Sequence, residues 1–444
     1  MKNRTLGKYS IIRRLGKGGM GIVFKAMSPV IDKVVAIKVL EPSEVLEITM
    51  GSDQLNDIFL TEAKTLAGLH HQNLVTIWDF DYDDAGRPYF VMEYYCNNLG
   101  VMIGESFQVE KKSRLIPPEK VIHYGFQILD ALAYLHHNNI VHRDIKPYNL
   151  LVTDSDTVKI CDFGMSLVDG VSFNGPENMQ IGSPCYTPPE QKKTPHQVDG
   201  RADCYSTAVL LYRMLTGTLP GMQSFPLSII NPLYDSKWDD FFRIGLSWNP
   251  GDRFQNAAQM QSALNKLNLR WQQQKAHSNQ KSTPSVNSVQ KLRSTPENRC
   301  GARALDHFKL TTLYRPYNYI RNQLTKSGKL VIDQSTNLIW QNDGSPYPLS
   351  WHGAEGYIRH LNKIRYAELA GWRLPTTDEL MSLLDEPSNQ PDSAFFDSTK
   401  KWVWSCDLHG KSERWFVNLD MGYASTQDKD CLNFIRAVNS NITI

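Results

Sequence analysis

Four short motifs follow one another within the first 164 residues, and their order restricts the fold more than any other feature of the chain. A glycine-rich segment spans residues 16–23, a lysine ends the strand-like run 35–38, charged and amide groups crowd residues 141–149, and an Asp-Phe-Gly sequence occupies 162–164. Any one of these patterns could occur by chance in 444 residues. Chance does not account for all four in this order, so we interpret them together.

The first motif reads GKGGMGIV and lies between two predicted strands. Glycines let backbone N–H groups approach phosphate oxygens that a Cβ atom would keep away. Glycines also serve in tight hairpins, and a dinucleotide-binding loop would be followed by a helix rather than a strand. The motif therefore predicts a phosphate-binding hairpin, with a purely structural hairpin as the alternative.

The other three motifs supply charged and amide side chains. Lys38 lies on the polar face of a predicted strand, where it could meet an anion held under the glycine loop. Asp144, Lys146 and Asn149 fall within six positions on a segment that Pro147 keeps from being helical. Each residue alone could be an ordinary surface group. The set as a whole predicts a site for a phosphorylated ligand.

Together these motifs resemble the signature set of the eukaryotic-type protein kinases, as found in bacteria, and residues 7–271 are identified as a member of that family. The resemblance implies an α+β chain with a bilobal kinase fold, its β-rich N-lobe at about 1–95 and its helical C-lobe at about 96–271. ATP would bind between the lobes. Lys146 resembles the serine/threonine subclass, so the implied activity is transfer of the γ-phosphoryl group to Ser and Thr hydroxyls of protein substrates, the chain itself included.

The resemblance also implies a role for each matched residue. Asp144 would orient the substrate hydroxyl, Lys146 would stabilise the transferring group, and Lys38 would hold the α- and β-phosphates. Mg²⁺ would be held by Asn149 and Asp162. The residues implied to bind the nucleotide and its metal are Gly16, Lys17, Gly18, Gly19, Gly21, Val23, Ala36, Lys38, Glu62, Met92, Glu93, Tyr95, Asn149 and Asp162.

Further residues would support the site in such a kinase. Glu190, which ends the activation segment that begins at Asp162, would pair with Arg253, and Asp203 would brace the catalytic loop. Arg143 precedes Asp144, an arrangement that often makes activity depend on a phosphate in the activation segment. The candidate hydroxyls are those of Ser166, Ser172, Ser183 and Thr187, with Ser172 or Ser183 favoured, although activation could also need no phosphate.

Residues 272–304 divide the chain. The segment has almost no aliphatic side chains, and its six Lys or Arg residues face one Glu. Such a composition cannot bury enough apolar surface to offset ordering entropy, so it predicts a flexible tether. A docking segment for an acidic partner is the alternative.

The second unit, residues 305–444, contains six of the ten tryptophans and alternating runs around Trp402 and Trp415 that predict a β-hairpin. Thr376 and Glu379 have the spacing of a capping box at a helix start. The unit resembles the Lcl-type C-terminal domain, which implies a small mixed α and β fold of the C-type-lectin-like kind. The motifs that carry the resemblance are Leu338-Ile339-Trp340, residues 371–376, Trp402-Val403-Trp404-Ser405, residues 415–418 and residues 434–438.

None of those motifs carries obvious chemistry. The aromatic side chains are expected in the core, and Arg373 and Arg436 are expected to be buried hydrogen-bonding struts, with a surface ligand site as the alternative. The fold would bring Cys406 near Cys431, but the reducing conditions expected around a kinase argue against a disulfide. Attachment to a kinase suggests that the unit senses a ligand or recruits substrates.

The composition of the chain favours some classes of protein over others. Hydrophobic residues at 41% and charged residues at 21% are typical of a globular chain, and a formal charge of +2 favours neither nucleic acid nor an anionic membrane surface. Seven scattered cysteines, no bilayer-length apolar run and no signal core predict a cytoplasmic protein. Two alternatives to an active kinase remain, a pseudokinase scaffold and a lectin-like binder whose kinase unit reports occupancy.

Overall fold

The computed structural model describes residues 5–106, 108–163, 167–168, 185–194, 197–221, 225–277, 289–384 and 395–440. The chain forms two compact units that divide between Ser278 and Asn279. In the part of the chain that the structure describes, no helix is both long enough and apolar enough to cross a bilayer.

A six-stranded antiparallel sheet begins the first unit. Its strands lie in the order β1-β2-β3-β4-β6-β5, and two helices, α1 and α2, connect β4 to β5. The strands are β1 (Thr5–Leu6), β2 (Tyr9–Lys17), β3 (Gly21–Ser28), β4 (Lys33–Leu40), β5 (Ile77–Tyr82) and β6 (Pro88–Glu93), and the helices are α1 (Glu44–Met50) and α2 (Ser52–Gly68).

The alternation of side chains along β4 explains where Lys38 points. Val35, Ile37 and Val39 pack into one buried cluster, on one face of the sheet. Ala36 and Leu40 pack into a second cluster that contains Phe59 of α2. Because side chains alternate between the faces of a strand, Lys38 lies on the same face as Ala36 and Leu40, toward α2.

The remainder of the first unit is mainly helical. Its short strands are β7 (Asn97–Asn98), β8 (Ile140–Val141), β9 (Leu150–Val152), β10 (Val158–Ile160) and β11 (Leu167–Val168). Its helices are α3 (Leu99–Ile103), α4 (Pro118–His137), α5 (Pro189–Lys193), α6 (Arg201–Thr216), α7 (Leu227–Ile230), α8 (Ser236–Gly245) and α9 (Ala257–His277). Asn138 caps the C-terminal end of the amphipathic helix α4.

The second unit has two antiparallel sheets, ordered β12-β13-β14-β18 and β15-β16-β17. The strands are β12 (Leu324–Ser327), β13 (Leu330–Asp333), β14 (Leu338–Gln341), β15 (Trp402–His409), β16 (Glu413–Asn418), β17 (Tyr423–Asp428) and β18 (Val438–Asn439). The helices are α10 (Ala302–His307), α11 (Trp351–Lys363) and α12 (Thr377–Ser382). The predicted hairpin is confirmed, since β15 and β16 pair, and so is the predicted capping box at α12.

Arginine side chains brace this second unit. Arg436 is buried and donates to the main-chain carbonyls of Gln341 and Asn342 at 3.2 and 2.6 Å, and burial lowers its pKa to about 10. Arg373 forms a bidentate ion pair with Glu379. Cys406 carries a free thiol, so it forms no disulfide with Cys431.

The segment predicted as a tether, residues 272–304, is structured at both ends. Helix α9 continues six residues past position 271, and residues 289–304 belong to the second unit and form hydrogen bonds within it. Arg293 pairs with the buried carboxylate of Asp407 at 2.8 Å, and the Leu408 N–H donates to the Glu297 carbonyl at 2.7 Å. Ion pairs, main-chain hydrogen bonds and the packing of Leu292 against the apolar core of the unit therefore hold residues 289–304 in place. Residues 278–288 of the predicted tether lie outside the described residues.

Candidate active site

The glycine loop joins β2 to β3. The Gly18 N–H donates to the Gly21 carbonyl at 2.9 Å, which closes the turn. A Cβ atom at Gly21 would lie 2.2 Å from the carbonyl oxygen of Val39, so only glycine fits there without a backbone shift. Space is open around Gly16, where a Cβ would have no atom within 4 Å. The loop thus combines one sterically required glycine with an open backbone edge.

Lys38 lies between two carboxylates from distant parts of the chain. Its Nζ is 2.7 and 2.9 Å from the two carboxylate oxygens of Glu62 on α2, and 2.7 Å from Asp162 Oδ1. The Phe163 N–H donates to Glu62 Oε1 at 3.2 Å. The predicted pairing of Lys38 with Glu62 is therefore present, and Glu62 also orients the chain just after Asp162.

The electrostatics of this trio follow from burial and charge. The Lys38 ammonium holds the pKa of Asp162 down at about 2, against the effect of burial. Burial opposes the charged form of Lys38, but the carboxylates of Asp162 and Glu62 outweigh it and raise the lysine pKa. Burial raises the pKa of Glu62, and the ion pair with Lys38 counteracts this. Lys38 is cationic and Asp162 anionic at neutral pH.

Asp144, Lys146 and Asn149 form a second cluster. The Lys146 ammonium donates to Asp144 Oδ2 at 2.7 Å. The amide nitrogen of Asn149 donates to both the main-chain carbonyl and the Oδ2 of Asp144, each at 2.9 Å. These contacts fix the Asp144 carboxylate, and they leave the Asn149 side-chain oxygen as the atom that could bind a cation.

The two clusters are joined through the backbone. The Cys161 N–H, next to Asp162, donates to the Asn149 carbonyl at 2.9 Å. His142 Nε2 lies 3.2 Å from the Cys161 carbonyl, and its ring lies edge-on to Phe163 at a centroid distance of 4.8 Å. The structure thus brings Lys38, Asp144, Asn149 and Asp162 into one region, although they are far apart in sequence.

Asp203 braces the loop that carries Asp144. Its buried carboxylate accepts from the N–H groups of His142 and Arg143 at 2.9 and 2.8 Å, and it lies 2.9 Å from His136 Nε2. Arg143 has a φ of 66°, an uncommon conformation for a residue other than glycine. Strained backbone of this kind persists where surrounding contacts enforce it. The predicted brace is present, and it enforces the shape of the loop.

An apolar cluster lies on the same face of the sheet as Lys38. The predicted residues Val23, Ala36 and Met92 belong to it, together with Tyr95. Ala36 and Met92 are paired across β4 and β6. The other predicted residues have neighbours of their own, because Glu93 accepts from the Tyr95 hydroxyl at 3.0 Å and Lys17 lies 3.9 Å from Glu41.

Leu151 and Cys161 also pack in this cluster, and sequence reasoning did not select them. Leu151 lies on β9, two residues after Asn149, and Cys161 directly precedes Asp162. The signal that could have found them is the period of two along β9, which places Leu150 and Leu151 on opposite faces.

The residues around the clusters suit a nucleotide and Mg²⁺. Mg²⁺ prefers oxygen ligands, and Asp162 and Asn149 offer a carboxylate and an amide oxygen. The described residues hold no group of three or more His, Cys, Asp or Glu side chains arranged for a metal, so phosphate oxygens and water would have to complete such a site. The open edge at Gly16 leaves room for phosphate groups.

Within the activation segment, the structure describes residues 162–163, 167–168 and 185–190. Glu190 forms a bidentate pair with Arg253, at 2.6 and 2.8 Å, as predicted. Arg143 is buried, and burial lowers its pKa to about 10. Ser166, Ser172 and Ser183 lie outside the described residues, and Thr187 is buried. A phosphate requirement stays a prediction.

Protein kinases use one arrangement for phosphoryl transfer. A lysine is paired with a helix carboxylate and an aspartate, and it lies next to a loop that holds an aspartate, a lysine and an asparagine. The family model described as the protein kinase domain matches residues 9–304, more than half of the chain, and that of the Lcl C-terminal domain matches residues 329–439. The chain belongs to the protein kinase family. The predicted family and the α+β fold class are confirmed.

Two curated relatives of the chain come from bacteria. A probable serine/threonine-protein kinase of Clostridium acetobutylicum is 37% identical over 223 residues, covering 50% of this chain and 32% of the relative. Serine/threonine-protein kinase PksC of Streptomyces coelicolor is 33% identical over 275 residues, covering 57% of this chain and 48% of the relative. The chain thus spans about a third of the length of the first relative and about half of the second.

Among solved structures, the kinase domain of Mycobacterium tuberculosis PknI is similar at 25% identity and a TM-score of 0.46. The match covers 60% of this chain and 98% of that one.

Proposed function

We propose that this chain is a serine/threonine protein kinase that uses ATP and Mg²⁺ to phosphorylate protein hydroxyls, its own included. The observation that carries the proposal is the double pairing of Lys38 with Glu62 and Asp162. In protein kinases, the lysine–glutamate pair and the metal-binding aspartate must both be in place for catalysis. Similarity to relatives named as serine/threonine kinases supports the substrate class.

Each side chain has a task in this scheme. Lys38, oriented by Glu62, would bind the α- and β-phosphates, and Asn149 and Asp162 would hold Mg²⁺, which neutralises charge on the phosphates when bound. Asp144 would align the acceptor hydroxyl and take up its proton. Lys146, whose ammonium donates to Asp144, would stabilise the phosphoryl group during transfer. Gly16, Gly18, Gly19 and Gly21 would shape the loop over the phosphates.

We also propose that the second unit, with a C-type-lectin-like fold, senses a ligand or recruits substrates, and that the protein works in the cytoplasm, where ATP is available. The attachment of residues 329–439 to a kinase unit supports the first of these. Deletion of 305–444 should then change activity, substrate choice or ligand response. Unchanged behaviour in all three would remove this part of the proposal.

Labelled ATP tests the kinase proposal. Purified full chain with Mg²⁺ should label itself or a protein substrate on Ser or Thr, while the Asp144→Ala and Lys38→Ala variants should not. Peptide mapping of the labelled chain would identify any phosphorylated residue. If wild type transfers no more phosphate than these variants, also after pretreatment with an activating kinase, a pseudokinase scaffold is the better description.

A further inference from the structure

A buried arginine lies under the anchored end of the activation segment, residues 185–190. Arg213 on α6 has no exposed surface, and its Nη1 donates to the Tyr186 hydroxyl at 2.9 Å and to Glu105 Oε1 at 3.4 Å. Its Nη2 reaches the Lys111 carbonyl at 3.4 Å. Within the described residues its Nε has no hydrogen-bond partner. A buried cation this sparsely compensated depends strongly on its nearest carboxylate.

That carboxylate belongs to Glu105, in the loop between α3 and α4. Its side chain is only 4% exposed, and burial raises its pKa while Arg213 lowers it. The Tyr186 hydroxyl donates to Glu105 Oε2 at 3.3 Å. The loop is itself anchored, because the Ile116 N–H donates to a carbonyl of α6 at 2.8 Å. Glu105, Arg213 and Tyr186 therefore form a buried triad.

The main chain of Glu105 makes a second connection. Its carbonyl accepts from the Tyr148 hydroxyl at 2.9 Å, and Tyr148 is the residue before Asn149 in the catalytic loop. The Tyr148 ring also packs closely on Gly100, where a Cβ would lie 2.7 Å from the ring. One residue thus contacts the catalytic loop through its carbonyl and the activation segment through its carboxylate.

We propose that Glu105 is a positioning residue that fixes the end of the activation segment relative to the catalytic loop, and so places a protein substrate against Asp144. The inference rests on the proposed kinase function. Tyr186 is also tied to α6 by Ser206, whose hydroxyl donates to its carbonyl at 2.9 Å, so the triad fixes the side-chain half of an already anchored residue. The triad includes none of the side chains assigned to ATP.

Because the triad contains none of the side chains assigned to ATP, a change in it should affect the protein substrate and not the nucleotide. Glu105→Gln keeps the shape but removes the charge that Arg213 and Tyr186 contact, and hydrogen bonds to charged groups are worth enough to change kcat/KM for a protein substrate by about tenfold. The fall in kcat/KM should come from a higher KM for the protein substrate. The KM for ATP should stay within about twofold of wild type, well below the tenfold effect on the protein substrate.

A double variant separates positioning from stability. Glu105→Gln alone leaves Arg213 buried without its carboxylate, which should lower the melting temperature. Glu105→Gln with Arg213→Met removes the uncompensated charge and should restore much of that stability. It does not restore the contacts to Tyr186, so the KM for the protein should stay high.

The experiment uses the full chain with myelin basic protein as substrate, and it measures kcat, both KM values and the melting temperature. Glu110→Gln, an exposed residue of the same loop, is the matched control and should behave as wild type. Tyr148→Phe, which breaks only the carbonyl contact, should lower kcat.

Three results would overturn the inference. They are an unchanged protein KM in Glu105→Gln, a parallel rise of both KM values, and recovery of the protein KM together with stability in the double variant. If wild type itself transfers no phosphate, the proposed function fails and takes the inference with it. If wild type is active and Glu105→Gln matches it, only the inference fails.

Discussion

Replacing Glu62 by glutamine tests the contact on which the proposed chemistry depends most. The Lys38 side chain is 11% exposed and that of Glu62 is 1% exposed, so water compensates little for the lost charge. Glutamine keeps an oxygen for the Phe163 N–H, which isolates the effect of the charge. The Asp162 carboxylate, which is assigned to Mg²⁺, would then be the one charged group of the trio still paired with Lys38.

The structure sets the size of the effect. A hydrogen bond to a charged group contributes about 1.5–3 kcal/mol, and Glu62 provides two, at 2.7 and 2.9 Å. Loss of one such bond corresponds to a fall of about 10- to 150-fold in kcat/KM. Most of the fall should lie in kcat, because the pair orients Lys38 for the charge that develops during transfer.

Steady-state kinetics with varied ATP, at saturating protein substrate, gives the two constants separately. Glu47→Gln, an exposed carboxylate on α1, is the control and should leave both unchanged. A Glu62→Gln enzyme within about twofold of wild type, far below the tenfold lower bound, would refute the reasoning.

Three further predictions concern other parts of the chain. NMR titration of the Asp162 carboxyl should give a pKa of about 2 in wild type and a higher pKa in Lys38→Met, because the lysine charge lowers it. The ion pair therefore contributes stability above about pH 3.8, and this contribution is lost as the pH falls toward 2. A wild-type pKa of about 4 would contradict this. Gly21→Ala should lower the free energy of unfolding by about 1–3 kcal/mol through a backbone clash, whereas Gly16→Ala, in open space, should not, and equal melting temperatures would disprove the distinction. Arg293→Met should destabilise the second unit by about 3 kcal/mol, the lower end for a broken buried pair, because the Asp407 carboxylate loses its cation but keeps the N–H groups of Glu297 and Thr377. A calorimetric trace with both transitions unchanged would show that Arg293 does not hold the segment there.

Sequence reasoning located the site because its residues sit in local motifs. Asp144, Lys146 and Asn149 lie within one loop, and the short spacing alone implies that they share a site. The pairing of Lys38 with Glu62 was predictable only through the family resemblance, since no spacing rule connects a strand lysine to a helix carboxylate 24 residues away.

Two other features of the structure depend on tertiary contacts that no sequence motif predicts. Glu105 lies in a polar loop without a motif, and only the tertiary structure places it against Arg213, 108 residues later. The contacts of residues 289–304, which composition assigns to a flexible tether, have a related explanation. Its composition is poor in aliphatic side chains. The pairing of Arg293 with the buried carboxylate of Asp407, and the packing of Leu292 against the core, depend on partners that composition does not reveal.

Binding and transfer measured side by side on wild type and Asp144→Ala test the central claim most directly. Calorimetry with a non-hydrolysable ATP analogue and Mg²⁺ should give wild type and Asp144→Ala the same affinity within about threefold, which is less than the tenfold that corresponds to 1.4 kcal/mol. The reason is that Lys38, Asn149 and Asp162, and not Asp144, are assigned to the phosphates and the metal. Labelled ATP should be used only by wild type, with the label on Ser or Thr. Wild type that fails to bind the nucleotide with its metal, or an Asp144→Ala chain that transfers phosphate at the wild-type rate, would contradict the account.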